Sequence, residues 1–307
     1  MADLSSVQER TALTGTSTFL DCLVLCPGLH LQQRAINLNN GENPACGAMT
    51  SGFVFRVENP ATVFFLQKVG RTGHLTEVKV SDLRDKDNWY TWMLSMFFSF
   101  HTATTISTIV YMTAILWTST VIILMILTHD FWGLCVIGIL IFSRFSNVII
   151  IRRRSRVGWA GKSEPGVRGD LLILLTQDRW VRMRGYVDDL KAVTSGQWLQ
   201  DENTWEGWVN AFSTIFVYLD VALAANTQQF GKILLLLLLI GSIGLLALAN
   251  ITTKKMQMHG RLLEVGERKA YARRLDMARE MIDLHKRSDW AKQMGLIPND
   301  EVSMVTM

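Results

Sequence analysis

The chain has 307 residues, 49% of them apolar and 19% charged, with a formal net charge of +4 and a mean hydropathy of +0.19. Soluble domains carry about 25% charge, and here the apolar residues are gathered into two blocks instead of being spread through ordinary cores. That distribution excludes a disordered chain, a disulfide-dense secreted module and a plain cytosolic enzyme, and it points to a multi-pass membrane protein.

Residues 1–91 read as an N-terminal cytosolic region. The first 18 residues are polar and the run Phe19 to Leu25 is broken by Asp21, so no secretory signal is expected. Phe53 to Val57, Thr62 to Val69 and Leu75 to Val80 are rich in β-branched and aromatic residues, which predicts a hairpin with a third strand. Asn37 to Gly41 and Asn43-Pro44 read as loops. Cys22, Cys26, His30 and Cys46 have soft-ligand chemistry, but their C-x3-C-x3-H-x15-C spacing matches no closed zinc module. Buried, reduced thiols are the expectation, with no metal, cofactor or disulfide. Acylation of Cys22 or Cys26 in DCLVLCPG is the alternative.

Residues 92–151 and 207–250 are the two apolar blocks. A bilayer core about 30 Å thick takes roughly 20 helical residues. The first block divides at His129-Asp130 into Thr105 to Thr128 and Phe131 to Ile151. The second gives Gly207 to Asn226 and Ile233 to Ala249, turning at Thr227 to Gly231. Trp92 to Thr104 holds no turn residue that would set it apart from the helix that follows, so it reads as an interfacial extension and not a fifth span. Trp89, Tyr90 and Trp92 suit the headgroup level. The fold class is a mainly α membrane protein: four transmembrane helices in two hairpins, a small N-terminal region containing β-strands, and cytosolic amphipathic helices.

Of 31 cations, eight precede residue 92, ten lie in the central loop 152–206 and eleven follow Asn250. Cations stay cytoplasmic, so both termini and the central loop are expected in the cytosol. The sequon Asn250-Ile251-Thr252 then faces the cytosol, where glycans are not added. Arg152, Arg153, Arg154 and Arg156 form a basic cluster at the membrane surface, suited to anionic cytosolic-leaflet lipids. Gly161-Lys162-Ser163 lacks the preceding glycine and strand of a phosphate loop. Trp180, Met183, Val187, Leu190 and Val193 recur at helical spacing, which predicts an amphipathic helix after the apolar run Leu171 to Leu175. Adjacent Asp188 and Asp189 point about 100° apart on such a helix and do not converge on one atom. In the tail, residues 251–307, Tyr271, Leu275, Ala278 and Ile282 predict a helix that docks on the protein's own cytosolic regions.

Arg144 and Asp220 are the ionisable residues inside spans, where they are costly. Counted from the cytosolic edge, Arg144 lies about 10 Å deep and Asp220 about 20 Å, so a snorkelled arginine competes with an ion pair. Hydroxyls along the first span, Thr113, Thr118, Ser119 and Thr120 among them, suit packing better than a polar pathway.

The runs IRRRSRVGWAG, EPGVRGDLLILLTQDRWVRMRGYVDDLKAVTSGQWL and LDCLVLCPGLHLQQRAINLNNGENPACGAMTSGFVFRVEN resemble a set of uncharacterised multi-pass membrane proteins from filamentous fungi. The resemblance implies a membrane protein of fungal source and carries no activity over. The functional expectation is a membrane scaffold or regulatory protein with cytosolic partner-binding regions, and nothing points to nucleic acid. The alternative is an oligomeric transporter or channel using Asp220 and Arg144. An enzyme is disfavoured because the sequence holds no nucleophile elbow, phosphate loop or clustered histidines.

Overall fold

The structure, a computed structural model, describes residues 21–25, 38–82, 105–154, 161–196, 199–252 and 255–297. In chain order its elements are β1 (Ala45–Ala48), β2 (Val54–Arg56), α1 (Pro60–Val69), β3 (His74–Asp82), α2 (Thr105–Leu127), α3 (Phe131–Arg154), β4 (Arg168–Leu175), β5 (Arg179–Tyr186), α4 (Val187–Thr194), α5 (Thr204–Leu223), α6 (Gln229–Thr252), β6 (Lys255–Met258), β7 (Arg261–Ala270), α7 (Arg274–His285) and α8 (Asp289–Gln293), with 3-10 turns at Leu38–Gly41 and Ala224–Asn226. They form two compact units. One is helical and takes residues 21–25, 105–154 and 199–252; the other is built on a sheet and takes residues 38–82, 161–196 and 255–297.

In the helical unit α2, α3, α5 and α6 are each long and apolar enough to cross a membrane. Their ends fall within a few residues of the expected ones, because apolar runs of this length with so few charges mark long helices plainly. Trp89, Tyr90 and the stretch Trp92 to Thr104 lie outside the described residues. A capping box starts α5, in which the Asn203 backbone N–H donates to Glu206 Oε2 at 2.9 Å. Consecutive helices are joined by tight turns, yet the closest packing pairs α2 with α6 and α3 with α5. Val121, Met125, Ile137, Leu235 and Leu238 fill the interior, while Leu116, Ile123, Phe142, Phe212, Leu236 and Ile240 point outward, as surfaces facing acyl chains do. Gly241 meets the Trp117 indole where α6 crosses α2; Gly244 has open space.

The sheet unit holds seven strands in the order β2-β1-β4-β5-β3-β7-β6. All neighbours run antiparallel except β3 and β5, which are parallel. One face is covered by α7 and α8, whose Met277, Met281, Ile282 and Trp290 pack on Met49, Leu75, Leu172 and Trp180. Leu190 and Val193 of α4 are buried, with Leu190 and Val187 lying over Gly169 of β4.

Three expectations are corrected here. Thr62 to Val69 is helical, because the Asn59 side chain accepts from Ala61 N and Thr62 N and Pro60 occupies the first helical turn; that start signal outweighs the β-branched content. The amphipathic helix of the central loop is instead the hairpin β4-β5 followed by the short α4. Trp180, Val181, Arg182 and Met183 are all buried, so β5 shows no alternation, as expected of a strand covered on both faces. The reversal uses Gln177 and Asp178, both at positive φ. The tail does contain a helix with Ala278 and Ile282 buried, but Tyr271 precedes it. Before it stands an unexpected hairpin, β6-β7, whose two-residue turn His259-Gly260 has φ of 51° and 74°, the pattern of a type I′ turn. In addition, the Leu38–Gly41 loop is a 3-10 turn.

Candidate functional site

The intramembrane candidates Arg144 and Asp220 are both buried, and no ion pair joins them. The Ser143 hydroxyl donates to the Ser213 carbonyl at 3.1 Å, which sets the level of Arg144 on α5. Asp220 lies seven residues further along that helix, about 10 Å away. Its Oδ1 has no hydrogen-bond partner among the described residues. The hydroxyls of Thr113, Thr118, Ser119, Thr120 and Thr128 donate back to carbonyls four residues earlier, as the packing reading expects.

A carboxylate that the sequence marked only as a turn proves more organising. Asp130 is 2% exposed; it accepts from Gly133 N at 3.0 Å, capping α3, and from Gln228 N at 3.2 Å in the turn before α6. A Cβ on Gly231 would come within 2.0 Å of its Oδ2, so only glycine admits this contact. Aspartate immediately before an apolar helix is a cap signal and was readable as one.

The surface arginines are engaged with protein. Arg152 Nη2 donates to the buried Asp21 Oδ2 at 2.7 Å, and the Tyr111 hydroxyl donates to Asp21 Oδ1. Arg153 lies 4.5 Å over the Trp205 ring with its Nε 3.4 Å from Glu206. Arg154 Nε donates to the Gln200 carbonyl at 2.9 Å. Arg156 lies outside the described residues, as do Cys26 and His30. Cys22 belongs to the helical unit and Cys46 to β1 of the sheet unit. Among the described residues no group of three His, Cys, Asp or Glu is set to hold a metal. Cys22 is buried, and burial pushes the Cys46 thiol up, which keeps it protonated and inert.

The site that the sequence did not reveal lies on the sheet face carrying α7. Pairing aligns Glu77 with Arg182 and Lys79 with Arg184 across β3 and β5, and Asp170 with Arg184 and Arg168 with Tyr186 across β4 and β5. Paired residues share a face, so Leu75, Leu172 and Trp180 begin an apolar half under α7 and the charged residues continue it past the helix end. Arg182 donates to both oxygens of Asp170 through Nε, at 3.0 Å each, and to Oδ2 again through Nη2. His285, the last residue of α7, brings Nε2 to 3.2 Å from the same oxygen. Burial holds the His285 imidazole below its ordinary value, against the pull of Asp170. Beyond this cluster opens a cleft of about 660 Å³, with Lys79, Ser81, Arg168, Arg184 and Tyr186 in its lining. These residues come from three distant segments, which is why no linear motif announced them.

Comparison of the chain with protein-family models, with curated proteins and with solved structures finds no match. Fold and site therefore rest on the geometry above.

Proposed function

We propose that the chain is a membrane-anchored scaffold or regulatory protein in which four helices hold one α/β unit on the cytosolic side, where it binds a protein partner. The observation that carries this reading is the composition of the sheet. It draws β1 to β3 from before the first span, β4 and β5 from between the second and third, and β6 and β7 from after the fourth. Strands that hydrogen-bond must share a compartment, which argues for an even number of crossings between them. A fifth span in residues 92–104 would separate β3 from β5, its parallel neighbour. The cation distribution argues that the shared side is the cytosol. The minimal turns at the other ends of the helices leave little to bind there.

Single cysteines introduced at Thr50, Lys162 and Asp283, all exposed, test the arrangement: impermeant thiol reagents should reach all three from the cytosolic side only, and Gln229→Cys from the opposite side only. The full chain, solubilised in gentle detergent, should then carry a stoichiometric protein partner. Purification alone, together with an ion flux in proteoliposomes that Asp220→Asn abolishes, would favour the second reading, an oligomeric channel. The buried Oδ1 of Asp220, without a partner among the described residues, supports that alternative; its distance from Arg144 and the back-bonded hydroxyls weigh against it.

A further inference from the structure

We infer that the cleft on the sheet unit is a binding site for a small organic phosphate carrying at least two negative charges, a ligand distinct from the protein partner proposed above. Three cations face it from adjacent strands: Lys79 on β3, Arg184 on β5 and Arg168 on β4. Lys79 and Arg184 are direct cross-strand neighbours, and like charges so placed are destabilising. On its other side Lys79 stands opposite Glu264 of β7, but that carboxylate is held by Lys255 at 2.7 Å. Asp170 is already held by Arg182 and His285, so Arg184 Nε reaches it only at 3.8 Å, and it reaches Glu77 only at 3.9 Å. Asp82 is held at 2.8 Å by Arg261. Among the described residues neither Lys79 nor Arg168 has an ion-pair partner; Arg168 lies 5.8 Å over the Tyr186 ring.

The cleft's acids are thus held most closely by Arg182 and Arg261, outside its lining, and by His285 within it, while its three cations are paired loosely or not at all. A guanidinium pair with an ammonium fits phosphoryl oxygens, which accept forked N–H donors and concentrate charge on one centre. The Thr50 and Ser81 hydroxyls line the same space as further donors. The volume is that of a small-ligand pocket, and the exposed Tyr186 ring offers a flat wall for the organic part. The shared chemistry admits either a soluble phosphate ester or the headgroup of a phosphorylated lipid.

The test uses the full chain in lipid-free detergent, titrated calorimetrically with inorganic pyrophosphate and with inositol trisphosphate. Saturable binding that weakens with salt is expected. Lys79→Gln and Arg184→Gln should each weaken it about tenfold, the loss of one charge-assisted contact, while Lys292→Gln, away from the cleft, leaves it unchanged. Both cleft variants should unfold close to the temperature of the parent without ligand, since the repulsion each relieves offsets the loose pairings it loses; this separates a lost site from a damaged fold. Reconstitution in nanodiscs containing phosphatidylinositol bisphosphate distinguishes the sources: a headgroup ligand displaces pyrophosphate within the disc, a soluble ester does not. Absence of saturable binding by either probe, or binding that ignores both cleft substitutions, overturns the proposal.

Discussion

In the sheet unit Asp170 is 6% exposed and receives Arg182 on both oxygens and His285 on one. In the helical unit Asp220 is 4% exposed, and its Oδ1 has no partner among the described residues. The difference follows from how each architecture brings side chains together. Strands in register place residues from distant parts of the chain side by side, so a buried charge can collect partners. A helix presents one residue per turn to a given neighbour, and Arg144 and Asp220 stand about two turns apart in level. The sheet unit thus gathers Asp170 into a side-chain network built across strands, whereas in the bundle Asp220 stands apart from Arg144.

Removing a partner should hurt most where the network is tightest. Asp170→Ala leaves Arg182 buried without its carboxylate and should destabilise the sheet unit by roughly 3–5 kcal/mol. Limited proteolysis of the detergent-purified chain would show cuts in β4 and β5 while the helical unit resists; an unchanged pattern would mean that the network contributes little. Next in size is Gly231→Ala, whose methyl would strike Asp130. Overpacking of this kind costs about 1–3 kcal/mol, read as a lower unfolding temperature, and Asp130→Ala in the same background should relieve part of the clash while losing the cap. Asp220→Asn acts the other way. A neutral amide is cheaper than a lone buried carboxylate, so thermal stability should rise by about 1 kcal/mol; a clear fall would reveal a partner for Asp220 and erase the contrast between the units.

The smallest effect is on pH dependence. Because the folded His285 value lies below the unfolded value of about 6.5, the unfolded chain takes up a proton first as the medium is acidified. Stability contributed by this group is complete above that pH and declines as pH falls from it through the folded value. His285→Gln should flatten this part of a stability profile taken between pH 7 and 5.

The four long apolar helices were legible because long runs with so few charges admit little else, and their observed bounds differ from the expected ones by a few residues. The sheet was legible only in fragments. Phe53 to Val57 and Leu75 to Val80 were strands as expected, but β4 and β5 are covered on both faces and so lack the alternation that marks a strand. The short periodicity of Val187, Leu190 and Val193, which does belong to α4, was extended backwards into β5. The β6-β7 hairpin carried a readable sign in His259-Gly260. The cleft carried none, since Lys79, Arg168 and Arg184 meet only through the pairing of β3, β4 and β5. Arg144 and Asp220 drew notice as rare residues in apolar runs; Asp130 drew less, although it ties two turns together.

The place of β3 between β5 and β7 has a consequence for biogenesis. When β3 leaves the ribosome neither neighbour exists, and its second edge is filled only once β7 has been made, about 180 residues later. At about 5–20 residues per second that is a wait of roughly 10–35 s. Through that interval four long apolar helices are made while β3 keeps an edge open to wrong pairing. A chain that stalls after the fourth of these helices would display that open edge, which gives chaperones and proteases a direct means of recognising an unfinished copy.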